Sequence, residues 1–465
     1  MPKLDPTTDE FRAAAHRAVD WIADYFENID TLPVLSRVQP GDVERQFADA
    51  PSEDGKSYEA LMEELEQKIL PGITHWNHPS FFAYFSVTGS QAGLIGEMLT
   101  AALNSNGMVW KTSPSLTELE VVALRWLRDA LGLPDNLFGI INDTASVNTF
   151  HALAAAREAL GLNIRRDGMA GRDIPPLTIY CSEHAHVSTE KAALALGLGY
   201  ANVVKIASDE QYRMRAGALA EAIARDRAAG KLPCAIVAMA GTTSTGAIDP
   251  VRAIGEIAAR EKIWLHVDAA YAGSATICPE LRFLWDGIEY ADSIVTNPHK
   301  WLFTQIDCSV LYTRRPDVLR AAFSPAEVPP YLTLSDTADV NYMDYGLAMG
   351  RRFRALKLWM VFERYGLEHM RAVIRDHVAW ARRLADEIEK RDDLELLAPP
   401  SFSLVVFRKK AGNEETMALA ERINAQGDVF VSHTTLRGNV GIRVAIGNGA
   451  TEWRHVEKVL RDRDS

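Results

Sequence analysis

Seven short apolar runs do most to limit what this chain can fold into: LFGIIN (137–142), LTIYCS (177–182), NVVKIA (202–207), CAIVAMA (234–240), IWLHVD (263–268), DSIVTN (292–297) and CSVLYT (308–313). A strand with one wet face alternates apolar and polar residues, and these runs are too continuously apolar for that. They are predicted to be buried on both faces, which requires a parallel or mostly parallel sheet with helices on each side. Helical patterns fill the intervals, so the fold class is α/β. In such sheets the ligand lies beyond the carboxyl ends of the strands.

The flanks read differently. Thr7 and Glu10 have capping-box spacing, and Phe11, Ala15, Val19, Ile22, Phe26 and Ile29 follow at helical intervals. A Pro-rich stretch, LPVLSRVQPGD, separates this helix from a second one over 58–69 that stops before Pro71-Gly72. Two helices on an extended arm cannot bury both apolar faces alone, so they are expected to clasp another surface, such as a second subunit. Beyond GRRFRALKLWMVFERYG (350–366), a long helix near 367–391, the strand SLVVFRKK, the strand pair VFVSHTT and VGIRVAIG, and a last helix TEWRHVEKVLRD predict a small α+β domain.

A length of 465 residues exceeds one average core, and 47% hydrophobic with 24% charged residues is ordinary globular composition. The formal net charge of -12 disfavours nucleic acid or an anionic membrane as partner. Cys181, Cys234, Cys278 and Cys308 are far apart and form no C-x-x-C pair, against a zinc knuckle or a disulfide framework. MPKLDPTTDEF lacks the apolar core of a signal peptide, and no apolar run approaches the ~20 residues that span a bilayer. The expectation is a soluble cytoplasmic protein.

The strand ends carry the chemistry. LFGIIN runs into Asp143, Thr144, Ala145 and Ser146 at a helix start, where free N–H groups and hydroxyls suit an anion; a plain helix cap would read the same way. LTIYCS runs into His184 and His186, which suit a planar ligand better than a metal, because no third ligand stands at a sensible spacing. CAIVAMA ends in a run of glycine and hydroxyl residues that includes Thr243. IWLHVD ends in Asp268, a carboxylate that is costly at a central strand tip unless it meets a cation or donor. SIVTNPHKWL (293–302) breaks from a buried strand into Asn297, Pro298, His299 and Lys300. An Asp at one tip and a Lys past the next suit pyridoxal phosphate, whose aldehyde takes a lysine as an imine and whose ring nitrogen pairs with a carboxylate.

With these residues in place, the chain resembles the group II pyridoxal-phosphate-dependent decarboxylases, and most closely those acting on aromatic L-amino acids. The likeness is carried by PGITHWNHPSFFAYF (71–85), SPSLTELE (113–120), HVDAAYAG (266–273), NPHKW (297–301) and GRRFRALKLW (350–359). It implies an aspartate-aminotransferase-like fold with a seven-stranded, mostly parallel sheet. It also implies a helical dimerisation arm over 1–88, a cofactor domain over 89–364, a small domain over 365–465, and a homodimer with active sites at the interface. Residue by residue, it makes Lys300 the Schiff-base lysine, Asp268 the ring-nitrogen partner and His186 the imidazole on the cofactor ring. Thr144, Ala145 and Ser146 are implied at the phosphate with Asn297 and His299, Thr243 near the ring hydroxyl and substrate carboxylate, and Ala270 against the ring face.

The resemblance further implies a loop tyrosine that delivers a proton to the product carbon. Counting back from Arg351 places it at Tyr342, with Tyr345 close by, and the loop from Ser324 to Asn341 is expected to act as a lid. A phenylalanine there would suggest an aldehyde synthase. Trp76, Tyr84 and Phe85 match the family's aromatic wall, which favours a flat apolar side chain. Asn106, Met108 and Ile306 align to pocket positions but are not the family's usual residues, and neither is Ser86. Asp143, Val147 and Asn148 depart from the pattern usual at the phosphate motif. The rivals are an aldehyde synthase, a decarboxylase of acidic or aliphatic amino acids, and a non-catalytic dimeric scaffold; the last would be expected to lose Lys300 or Asp268.

Overall fold

The computed structural model of the chain describes residues 7–51, 53–87, 89–324 and 340–461. The segment expected as a lid therefore lies almost wholly outside the described residues, at 325–339.

All seven apolar runs are strands: β1 Phe138–Asn142, β2 Leu177–Ser182, β3 Val203–Ile206, β4 Leu232–Met239, β5 Trp264–Asp268, β6 Ser293–Thr296 and β7 Ser309–Thr313. They form one sheet in the order β1-β7-β6-β5-β4-β2-β3. β2 through β6 pair in parallel, while β7 runs antiparallel to both of its neighbours, β1 and β6. The carboxyl ends of β1, β2, β4, β5 and β6 thus share one edge of the sheet, and the reversed β7 brings its first residue, Ser309, to that same edge. β2, β5, β6 and β7 are buried along their whole length, as a sheet covered on both faces requires.

A second, four-stranded antiparallel sheet follows, from β8 Leu394–Leu396, β9 Leu404–Lys409, β10 Ser432–Leu436 and β11 Asn439–Ala445, ordered β10-β11-β9-β8. The short β8 is absent from the sequence reading, since three residues carry too little periodicity to find. The small sheet has its own apolar cluster, in which Phe407, Ile423, Ile442 and Val444 meet Leu384 and Ile388 of the long helix. That helix spans Arg354–Glu389 and breaks at Gly366, whose φ of 65° and ψ of 161° lie outside the helical region and favour glycine. The break coincides with the expected end of the 350–366 helix.

At the other end, the Thr7–Glu10 capping box forms and starts a helix over Thr8–Asn28 that buries none of its residues within the chain. Phe11 and Val19 stand exposed. The helix is tied down through the Tyr25 hydroxyl, 2.8 Å from His75 Nδ1, and the Trp21 indole N–H, 2.9 Å from Glu66. The helix Gln91–Leu103 likewise exposes Ile95, Met98, Leu99 and Leu103 on its outer side. Among the described residues no helix is long and apolar enough to cross a membrane.

Candidate active site

The sheet edge gathers the residues singled out in the sequence. Asp268 ends β5 and is buried, its Oδ1 accepting the Ala270 N–H at 3.0 Å. Lys300 follows β6 on the one-turn helix Pro298–Trp301, with its own N–H donated to Asn297 O at 2.9 Å. Burial pulls the Lys300 ammonium below the ordinary lysine value; the Asp268 carboxylate opposes the fall and the Arg443 guanidinium adds to it. A lysine so placed is closer to the neutral amine that attacks a carbonyl. Burial also lowers the imidazole of His186, against the pull of Asp268 and with the push of Lys300, so these three side chains sit within one another's field. The Ser188 N–H donates to His186 Nδ1 at 3.2 Å, which leaves the imidazole proton on Nε2.

The end expected to take a phosphate lies between β1 and the helix Ala145–Ala159. Thr144 is the residue before that helix and makes no side-chain cap bond to it, so the first-turn N–H groups are open at a positively polarised helix end. The Thr144 N–H itself is held by Asp143 Oδ1 at 2.6 Å. Ala145 is half-buried and Ser146 exposed. Asn297 is buried and accepts the Ser309 hydroxyl at 2.6 Å through Oδ1, while its Nδ2 has no partner among the described residues. His299 accepts the Cys308 N–H on Nδ1 at 2.9 Å, and burial, helped by Lys300 and Lys357, takes it down to about 3. It is therefore a neutral ring with its proton on Nε2.

Above the lysine lies a stack of rings. Phe85 lies flat on Tyr271 at 3.6 Å, Tyr271 on Trp301 at 4.9 Å, and Trp301 donates to His377 Nδ1 at 2.9 Å. Trp301, next to the lysine, is thus a packing residue. The Lys300 Nζ stands 5.4 Å from the centre of the Phe85 ring, and the Arg443 guanidinium 4.4 Å from it. Arg443, on β11, is a residue the sequence reading missed. It is buried, donates from Nε to Thr243 O at 2.8 Å and from Nη1 to Ala83 O at 2.9 Å, and leaves Nη2 buried without a partner among the described residues. Burial lowers it to about 10. A buried guanidinium facing only carbonyls lacks a counter-ion, which is costly unless an anion completes it. Its signal in the sequence was the charged residue inside the otherwise apolar VGIRVAIG.

The expected substrate wall is split. Trp76 and Tyr84 stack at 5.6 Å with an interplanar angle of 16°, yet are 37% and 51% exposed, whereas Phe85 is turned inward. Asn106 is exposed and uses its Oδ1 to accept the Arg351 N–H at 2.9 Å, which favours the reading that it satisfies its own neighbours. Met108 packs beside Val109 and Met343, and Ile306 is 56% exposed.

Tyr342 is buried at 2% exposure, lies under the Arg351 guanidinium at 4.7 Å, and sits 6.2 Å from Phe138, which Tyr345 also touches at 4.6 Å. Phe138 begins β1, four residues and roughly 13 Å from the edge where Asn142 ends it. Arg351 is itself fixed by a buried pair with Glu120 at 2.5 Å and by Ile141 O at 3.1 Å. Burial holds the Tyr342 phenol well above the ordinary tyrosine value, with Glu120 pushing the same way. A phenol packed beneath a guanidinium and held this weakly acidic gives up its proton reluctantly.

The donor set fits pyridoxal phosphate. It offers a lysine inclined to lose its proton, a carboxylate one strand away, an imidazole within the field of both, an open helix start with an unpartnered amide beside it, and a buried guanidinium without an anion among the described residues. A sequence profile described as the pyridoxal-dependent decarboxylase conserved domain matches residues 40–410. The chain is 39% identical over 472 residues to a phenylacetaldehyde synthase from Arabidopsis thaliana, covering 98% of this chain and 95% of that protein. It is 37% identical over 473 residues to tryptophan decarboxylase 2 from Oryza sativa subsp. japonica, covering 98% and 94%. The crystal structure of Oryza sativa TDC with PLP and tryptamine superposes with a TM-score of 0.94 at 36% identity, covering 98% of each chain. Fold, strand-end chemistry and these likenesses agree: the chain belongs to the pyridoxal-dependent decarboxylase family.

Proposed function

We propose that the chain removes the carboxylate of an aromatic L-amino acid, of the tryptophan, tyrosine or DOPA type, to give the amine and carbon dioxide. The observation that carries this reading is the meeting of Lys300, Asp268 and His186 at one sheet edge, close to the stacked Trp76 and Tyr84. Pyridoxal phosphate, when bound, supplies an aldehyde that condenses with amines and a cationic ring that accepts the electron pair left when carbon dioxide departs.

The protein's own groups account for the rest. Lys300 would hold the cofactor aldehyde, Asp268 would pair with its ring nitrogen, and His186 and Ala270 would pack against the ring. Thr144, with the open N–H groups at Ala145 and Ser146, would take the phosphate, with Asn297 and His299 beside them. Thr243 and the unpartnered Nη2 of Arg443 would hold and orient the substrate carboxylate. Trp76, Tyr84 and Phe85 select a flat side chain by burial and stacking. Asn106 and Met108 are proposed to reach the pocket of a partner copy and Ile306 to line a pocket position, the two copies pairing through the exposed faces of helices 8–28 and 91–103. The arm 1–88, the cofactor domain 89–364 and the small domain 365–465 are the proposed units, and the cytoplasm the proposed location.

The proton donor to the product carbon is reassigned. Tyr342 lies buried beneath Arg351, and Tyr345 packs on Phe138. The remaining tyrosine between Ser324 and Asn341 in the sequence is Tyr331. We assign the role to Tyr331.

A second reading, an aldehyde synthase, is favoured by the likeness to phenylacetaldehyde synthase. Product analysis with tryptophan, tyrosine, dihydroxyphenylalanine, phenylalanine, histidine and glutamate decides both points. Amine from the aromatic substrates is expected; aldehyde with peroxide would establish the second reading, and amine from glutamate alone would overturn the preference for aromatics. Tyr331→Phe should shift products from amine to aldehyde while Tyr342→Phe does not, and the opposite result would restore Tyr342.

A further inference from the structure

Beneath the strand ends runs a buried chain of polar side chains that the chemistry above leaves unused. Ser309 Oγ lies 2.6 Å from Asn297 Oδ1 and 2.7 Å from Asn148 Nδ2; Asn148 Oδ1 lies 2.7 Å from Asn142 Nδ2, and that Nδ2 lies 3.3 Å from His151 Nδ1. On its far side, His151 Nε2 accepts the N–H of Leu347 at 3.1 Å. All five side chains are buried. The fold places them together: Asn142 and Ser309 are register partners across β1 and β7, Asn297 directly follows β6, and Asn148 and His151 stand one helical turn apart. The seat of Leu347 is close-fitting as well. A Cβ on Gly346 would come within 2.7 Å of His151 Cε1, so the backbone lies on the imidazole as only glycine permits.

Counting protons exposes a conflict. Burial takes His151 down to about 4, with Arg351 adding to the fall, so at neutral pH the ring is neutral and carries one N–H. Both of its nitrogens nevertheless face donors, the Asn142 amino group and the Leu347 N–H. Amide oxygen and nitrogen are assigned by their hydrogen bonding rather than seen directly, so the chain has two senses. In the first, Asn297 turns Nδ2 to the cleft, the donors run through to His151 Nδ1, and the proton on Nε2 opposes the Leu347 N–H. In the second, all three amides are turned over: His151 donates from Nδ1 to Asn142, each link reverses, Leu347 is accepted, and Asn297 turns Oδ1 to the cleft. An anion in the cleft requires the first sense, because a carbonyl oxygen would repel it.

We infer that Asn142, Asn148, Ser309 and His151 are positioning residues forming one two-sense relay, in which an anion held by Asn297 and the Leu347 N–H seated on His151 exclude each other. This rests on the proposed reading that places the cofactor phosphate at Asn297. Hydrogen exchange of peptides covering 340–350 tests it, on the full chain with and without pyridoxal phosphate. Loading should speed exchange at the seat about fivefold, the factor that loss of one hydrogen bond gives. Asn148→Ala and Ser309→Ala cut the relay at separate points, and each should abolish the difference between loaded and unloaded protein. The lysine-imine absorbance near ~420 nm reports loading separately. A band without the exchange difference in the unaltered chain, or a difference that survives either cut, overturns the relay. Absence of the band overturns the cofactor reading itself, and with it the relay's input.

Discussion

The cofactor end of the cleft and its substrate wall are built on opposite plans. Asp268, Asn297 and His299 are buried and each is fixed by a short bond to backbone or to a buried hydroxyl. Trp76 and Tyr84 stack on each other and on Phe81 and Phe430 while staying partly exposed, and Ile306 is largely exposed. The difference follows from what each region must do. Desolvation lowers a lysine or a histidine only when the fold around it is complete, so the cofactor end is finished within one chain. An apolar wall works by being covered, and a second subunit can supply the cover.

The widest separation of the two ends comes from Lys300→Ala. Amine formation should fall by on the order of 10^3-fold or more, and the absorbance near ~420 nm that borohydride removes should vanish, while the fold measured by circular dichroism is kept. Retention of the band would break the comparison, because the aldehyde would then be held elsewhere.

Arg443→Leu tests whether the small domain belongs to the cofactor end. Loss of a charged hydrogen bond is worth about 1.5–3 kcal/mol, so KM should rise roughly 10- to 100-fold with a smaller change in kcat. Arg443→Lys should recover part of the loss, since a point charge replaces only part of the fork. An unchanged KM would show that the free Nη2 does not meet the carboxylate.

Acid should weaken the strand that carries the Asp268 carboxylate. His266, under Asp268 on β5, is driven by burial down to about 4. An unfolded imidazole takes up its proton near 6.5, so between these values the unfolded state binds more protons and stability falls as the pH falls. By pH 5 the loss is roughly 2 kcal/mol for this one group. Urea midpoints at pH 7 and pH 5 measure it, and His266→Gln should flatten the slope. Equal slopes in both proteins would mean that His266 is not held neutral.

The smallest effect belongs to the wall. Trp76→Ala removes one stacked ring worth about 0.5–1.5 kcal/mol, a roughly 3- to 10-fold rise in KM for tryptophan, with the lysine absorbance untouched. A change in that absorbance would erase the distinction between the two regions.

The sequence made the cofactor end legible because its constraints are local. A run apolar on both faces has to be a covered strand, and the polar residue that interrupts it at the tip stands where ligands bind, so Asp268, Lys300 and His186 could be found one by one. Arg443 was harder to see, because its burial comes from a different domain: it reaches Thr243 across 200 residues of sequence. Tyr342 was singled out by its distance along the chain from Arg351, and only the fold shows that the buried Glu120–Arg351 pair holds the guanidinium that covers it.

The sequence by itself therefore determined the sheet, the cofactor chemistry at its edge and the family, since each depends on residues within a few positions of a strand end. Only the tertiary structure decided which side chains share a hydrogen bond, which cation lacks an anion, and which tyrosine is packed away. Those outcomes depend on desolvation and on partners distant in sequence, and no local pattern encodes them.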